Sequence, residues 1–191
     1  LFIMRFVGAP FVFSFQQVGT NCGLIGKNAA VEVDGSAYWM SENGFFRYTG
    51  KLESLACLVE DYVYDDINTV PRQHIYAGLN NLFGEVTWFY PGSGAASNNR
   101  SVTYNYMDST PERPVWTTST LARSAWSDSH IFGKPHGTEY DADATSDTTV
   151  GNTDGVTIYY EHETGVNSIK DGAASAISAS IESGDFDISA V

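Results

Sequence analysis

The sequence predicts an all-β protein built of antiparallel meanders, and three observations carry that reading. Phe and Tyr number 11 each, with 4 Trp, against only 3 Met; aromatic and β-branched side chains suit a pleated, half-buried surface better than a helix. Asp-Gly and Asn-Gly pairs punctuate short apolar runs, and these residues tolerate the positive φ that tight hairpin turns need. The pattern also recurs, with Trp39 and Trp88 at equivalent places 49 residues apart. Several short strands per period of about 40–50 residues are what propeller blades give. The predicted architecture is therefore a set of antiparallel β-propeller blades, complete or incomplete. A β-sandwich is the alternative, because it spaces short strands in much the same way.

The elements follow in order along the chain. Leu1 to Phe15 reads as two strands broken at Gly8-Ala9-Pro10. It differs from a secretory leader because Arg5 sits inside the apolar stretch and no small-residue cleavage site follows. Ala30 to Val33, the turn Asp34-Gly35, Ser36 to Met40, the turn Glu42-Asn43-Gly44 and Phe45 to Tyr48 form a three-stranded meander closed by Thr49-Gly50. A second unit comprises Gln73 to Gly78, Gly84 to Tyr90 and Ser101 to Met107, with Trp116 to Leu121 as a fourth strand and Pro91 to Arg100 as a polar loop. A looser third unit runs through Ser129 to Gly133, a long acidic loop over 137–155, and Val156 to Glu163. In Asp171 to Ile181, alternation of Ala176, Ser178 and Ser180 against Ile177, Ala179 and Ile181 fits a strand better than a short helix. The chain opens at Leu1 and stops just after a strand-like stretch, Ala179 to Ile188. It is expected to be one all-β region, 1–191, belonging to a longer polypeptide.

Charge narrows the functions. Ten basic residues against 23 acidic ones leave a formal charge of −13, the opposite of the basic patch that grips phosphates. Such a surface suits nucleic acid that must slide past without sticking. No run approaches the ~20 apolar residues of a membrane helix, so membrane insertion is not expected. Cys22 and Cys57 read as buried free thiols rather than a bridge, since disulfide frameworks use more cysteines in smaller domains.

Each candidate for chemistry has a simpler structural reading. Asp141, Asp143, Thr145 and Asp147 place oxygen ligands at alternate positions, as hard cations prefer. The loop nevertheless holds Ser146 and Asn152 where a calcium hand needs Gly and Glu, so it reads as a solvated acidic loop. In Glu161-His162-Glu163, strand geometry sends the two carboxylates to one face and the imidazole to the other. A zinc site there would require His130 or His136 from elsewhere. Pro91-Gly92-Ser93-Gly94 is not a nucleophile elbow, and Gly23-Leu24-Ile25-Gly26-Lys27 lacks the spacing of a phosphate loop; both read as turns. Asn99-Arg100-Ser101 is a formal glycosylation sequon. Nothing singles out two acids as a glycosidase pair, and Trp39, Trp88, Phe89 and Trp126 read as core or inter-blade packing. No catalytic residue, cofactor site or metal site is assigned, and an enzyme is not expected.

The run Gly23 to Ala29, followed by Val33-Asp34-Gly35-Ser36-Ala37-Tyr38-Trp39-Met40-Ser41 and Asn43-Gly44-Phe45-Phe46, resembles a blade of the propeller proteins in short-tailed bacteriophage tails. Asp65-Asp66-Ile67-Asn68, Phe83 to Pro91, Tyr159 to Gly165 and Ile181 to Ile188 are similar to other stretches of that family, the tail nozzle, also called tail tubular protein B or packaged-DNA stabilisation protein. The resemblance spans roughly Gly19 to Ile188, and the acidic insertion is longer than the pattern expects. It implies a structural virion component, part of the conduit through which DNA is ejected. It also implies self-association in a ring, other tail proteins such as an adaptor and fibres as partners, and DNA passing without tight binding. A glycan-degrading tail enzyme and a host receptor- or carbohydrate-binding module are the alternatives.

Overall fold

A computed structural model of the chain describes residues 1–128, 132–141, 156–165, 167–170 and 173–177. The protein is all-β with antiparallel pairing throughout its sheets. A hairpin of β1 (Phe2–Phe6) and β2 (Phe13–Gln17) opens the chain. Sheet I follows as β3 (Ala30–Val33), β4 (Ser36–Ser41), β5 (Gly44–Tyr48) and β6 (Leu52–Leu55), a meander in sequence order. Its first turn takes the left-handed backbone at Asp34 (φ 50°) and Gly35 (φ 77°), the conformation expected of Asp-Gly in a two-residue hairpin. The sequence led to three strands here; β6 adds a fourth, in which Glu53 lies opposite Arg47 and accepts its guanidinium hydrogen bonds.

A helix the sequence reading did not foresee, α1 (Glu60–Asp66), links sheet I to sheet II. It is two turns long and its one buried residue is Val63, so helical periodicity has too little length to register. Tertiary contacts hold it: the Tyr64 hydroxyl donates to Ser41 O at 2.6 Å and accepts from Gly44 N at 3.1 Å. Burial raises the Tyr64 phenol well above its usual range, so it stays protonated as a donor.

Sheet II consists of β7 (Tyr76–Asn80), β8 (Glu85–Tyr90), β9 (Arg100–Asn105) and β10 (Trp116–Ser119). The strand expected from Gln73 begins at Tyr76, because Arg72–His74 forms a 3₁₀ turn closed by a bond from Ile75 N to Arg72 O. Sheet III contains β11 (Ala125–Ser127), β12 (His136–Asp141) and β13 (Val156–Glu161). Of the strand expected over Ser129 to Gly133, residues 129–131 lie outside the described residues and 132–133 are a turn; β12 takes the opening residues of the 137–155 stretch, and 142–155 lie outside the described residues. A second small hairpin, β14 (Asn167–Lys170) with β15 (Ala173–Ala176), follows. The strand expected over 179–188 also lies outside the described residues.

The three sheets adjoin through their first strands, with β7 between β3 and β11. Asn28 bridges Tyr76 in parallel, and Ala77 N donates to Asn28 O at 2.8 Å. The core lies between sheets I and II. Phe45 packs on Trp88 and Trp116 at 4.9 and 4.8 Å between ring centres, and Tyr104 meets Trp116 at 4.8 Å. Two register-equivalent pairs recur, Ala30 opposite Trp39 in sheet I and Ala77 opposite Trp88 in sheet II. Each indole is buried and donates to a carbonyl outside its own sheet, Trp39 to Cys22 O at 2.8 Å and Trp88 to Ala29 O at 3.1 Å. A buried indole N–H requires such a partner.

Candidate functional site

A cleft of about 670 Å³ runs beside the end of β13. It is lined by Arg123 from the segment between sheets II and III, by Tyr159, Glu161, His162 and Glu163, and by Asn167 at the start of β14. Arg123 is its buried centre, 5% exposed. Its guanidinium donates to Ala122 O, to Glu139 Oε2 at 3.3 Å and, through Nε, to His162 Nε2 at 3.0 Å, and it lies 4.0 Å over the Tyr160 ring. Burial lowers the Arg123 pKa while Glu139 and Tyr160 raise it; the salt bridge and the ring hold the cation where desolvation opposes it.

His162 is the ring that meets this arginine. Its backbone N–H donates to Pro135 O at 2.8 Å, and its ring packs 4.5 Å from that of Trp126. Burial, then the Arg123 and His136 charges, push its pKa down to about 4. Because Arg123 donates to Nε2, the neutral ring carries its proton on Nδ1. At neutral pH this imidazole is an acceptor for a buried arginine.

The two flanking carboxylates go elsewhere. Glu161 closes β13 and lies 3.6 Å from Lys134 Nζ. Glu163 leaves the strand with a left-handed backbone (φ 59°), and its Oε1 accepts from Asn80 Nδ2 at 3.3 Å. Glu85, across the turn from Asn80, has its carboxyl pKa raised by burial and then by Glu163. The three residues of the motif thus pin three different segments, the turn before β12, the arginine and the end of β7.

The remaining candidates sort by place. His136 is buried, with Nδ1 bonded to the Tyr159 hydroxyl and its ring edge-on to Phe132 at 4.8 Å. Among the described residues no three His, Cys, Asp or Glu side chains gather as metal ligands. His130, Asp143, Thr145, Ser146, Asp147 and Asn152 lie outside the described residues, and Asp141 ends β12. Ser93 sits in a pinned loop: its N–H donates to Asp66 Oδ1 at 3.3 Å, Gly92 N donates to Asn99 Oδ1 at 2.8 Å, and Arg100 binds Asp66 at 3.0 Å. The Gly23 to Lys27 stretch is a turn against β4, with Leu24 bridging Ser41 and Ile25 N donating to Met40 O. Cys22 and Cys57 are free thiols, and burial pushes Cys57 up to about 12.

Trp126 ties the cleft to the rest of the molecule. Its Nε1 donates to Leu79 O at 2.8 Å, its indole covers Gly78, and its ring meets Phe89 at 5.6 Å. Arg123 was passed over in the sequence reading, and Trp116 was placed only as the start of a strand; Trp116 Nε1 donates to Ala56 O at 2.8 Å. An arginine flanked by Leu121, Ala122 and Ala125 in a chain this poor in basic residues was the available signal for the first. The arrangement offers hydroxyl, carboxylate, amide and aromatic groups to a ligand in the cleft, while the buried Arg123 is bonded to His162, Glu139 and Ala122 O. No protein-family model matches the chain, and a search of curated protein sequences finds no match either. No helix among the described residues is long and apolar enough to cross a membrane.

Proposed function

We propose that the chain is a structural component of a bacteriophage tail, a run of propeller blades contributing to the conduit for DNA ejection. The observation that carries the reading is the repeated sheet: two four-stranded meanders with the same Ala–Trp register pair, set first strand beside first strand. Radial repetition of such sheets makes a propeller, and inter-sheet indole bonds give it the rigidity a conduit needs. The resemblance of Gly23 to Phe46 and Phe83 to Pro91 to tail-nozzle blades supports the same reading, as does the −13 charge, which repels passing DNA. The protein then self-associates in a ring and binds other tail proteins. Quantitative mass spectrometry of purified virions, with imaging of the assembled protein, tests this. The expected result is a fixed copy number per particle and a ring; a chain lacking from particles overturns it.

A second reading, a carbohydrate-binding module for the host surface, is favoured by the cleft, where Tyr159 is well exposed beside Glu161 and Asn167. Saturable binding of the isolated chain to host cells, abolished by Tyr159→Ala, would select it over the conduit.

A further inference from the structure

The β1–β2 hairpin carries an apolar face that stands exposed among the described residues. Cross-strand pairing puts Phe2, Met4, Phe6, Phe13 and Phe15 on one face together with Gln17, and Ile3, Arg5, Ser14 and Gln16 on the other. The phenylalanines of that face, and Phe11 at the tip, are each about half to three-quarters exposed, with Phe6 at 73% and Phe15 at 70%. Phe6 and Phe13 meet edge to face at 6.0 Å. A lone two-stranded hairpin is marginal in water, so a hairpin displaying its aromatic face to solvent gains most from being covered.

We propose that this hairpin is a self-docking element, and that its apolar face packs on the same face of a second copy of the chain. Area and charge name the occupant. At ~200 Å² per aromatic side chain, the five exposed phenylalanines present roughly 650 Å². With Met4 added, the face and the tip together approach the ~800 Å² that each partner gives a standard interface. Leu1 to Val31 contains no acidic residue; its charges are Arg5 and Lys27, whereas all 23 acids lie beyond it. Two copies of a chain with charge −13 repel through most of their surface and approach most easily hairpin to hairpin. Stacked at the ~10 Å spacing of packed sheets, the two faces interdigitate while Arg5, Ser14 and Gln16 stay wet. A bilayer is the poorer occupant, because an interfacial element needs a Lys/Arg-rich polar face to offset an acidic body, and this face offers Arg5 alone. The inference is independent of the virion reading.

Analytical ultracentrifugation of the 191-residue chain tests it, alongside Phe6→Thr/Phe13→Thr/Phe15→Thr and, as a control on another exposed apolar pair, Leu82→Ser/Phe83→Ser. The expected result is a dimer for the parent and the control, and at least ~100-fold weaker dimerisation for the triple variant, with far-UV circular dichroism unchanged. In a Cys57→Ser background, mild oxidation should link Met4→Cys chains to each other but leave Arg5→Cys chains unlinked, which reads the face without removing its aromatics. A parent that stays monomeric at tens of micromolar, a dimer indifferent to the triple substitution, or sedimentation of the chain with phosphatidylcholine vesicles instead of dimerisation would each overturn the proposal.

Discussion

Trp88 shows how much one residue organises here. Its ring is fully buried between Phe45 and Trp116, and its N–H reaches across to Ala29 in the preceding unit. Trp88→Phe keeps an aromatic ring but loses the indole's bond to Ala29 O, which still accepts from Met40 N, and leaves a gap where the larger ring packed; denaturant unfolding should show a loss of about 1–3 kcal/mol. His162 gives a pH signature instead. The folded imidazole titrates at about 4, whereas an unfolded histidine titrates near ~6.5, so the unfolded chain takes up the proton first. The stability that follows from the neutral ring is complete above about pH 6.5 and is lost as pH falls from there toward 4. Glu85, whose carboxyl pKa is raised, works in the opposite direction. Comparing the parent with His162→Gln isolates the histidine: stability measured from pH 7 to 4 should fall more steeply in the parent than in the variant.

At the scale of elements, the joint between sheets II and III depends on a residue without a side chain. A Cβ on Gly78 would lie 2.7 Å from Trp126 Cγ, so Gly78→Ala must push the indole off β7. We expect a cost of about 1–3 kcal/mol, faster amide exchange in β11 and β12, and unchanged protection in sheet I. The turn at Asp34-Gly35 is the milder case, where Gly35→Ala should cost about 1–2 kcal/mol through its left-handed backbone alone, read by the unfolding midpoint. These two glycines also mark what was legible in the sequence. The Asp-Gly turn announces itself, because its conformational demand is local and the flanking runs alternate. The role of Gly78 depends on an indole 48 residues later in the chain, and no local pattern encodes that. For the same reason α1 went unforeseen, being held by Tyr64 bonding to β4 and β5 rather than by its own periodicity. The motif Glu161-His162-Glu163 was visible as a cluster. Its division among Lys134, Arg123 and Asn80 was not, since the partners come from three other segments.

For the whole molecule, the dominant physical fact is charge set against an acid-free apolar hairpin. If copies meet through that hairpin, salt screens the repulsion between their bodies without weakening the contact. Raising sodium chloride from about 20 mM, where the Debye length exceeds ~20 Å, to 0.5 M should tighten self-association in sedimentation experiments. A contact made of ion pairs would loosen over the same range. Another consequence follows from the order of the strands. Each sheet is assembled from strands consecutive in the chain, and β7 joins its neighbours on both sides. The order of the sheets along the chain is therefore also their order in time: as the chain emerges during synthesis, sheet I can form before sheet II exists, and each finished sheet offers the next a surface to build on. The Trp88 and Trp126 indoles, each reaching back to a carbonyl already in place, act as latches closed in that order.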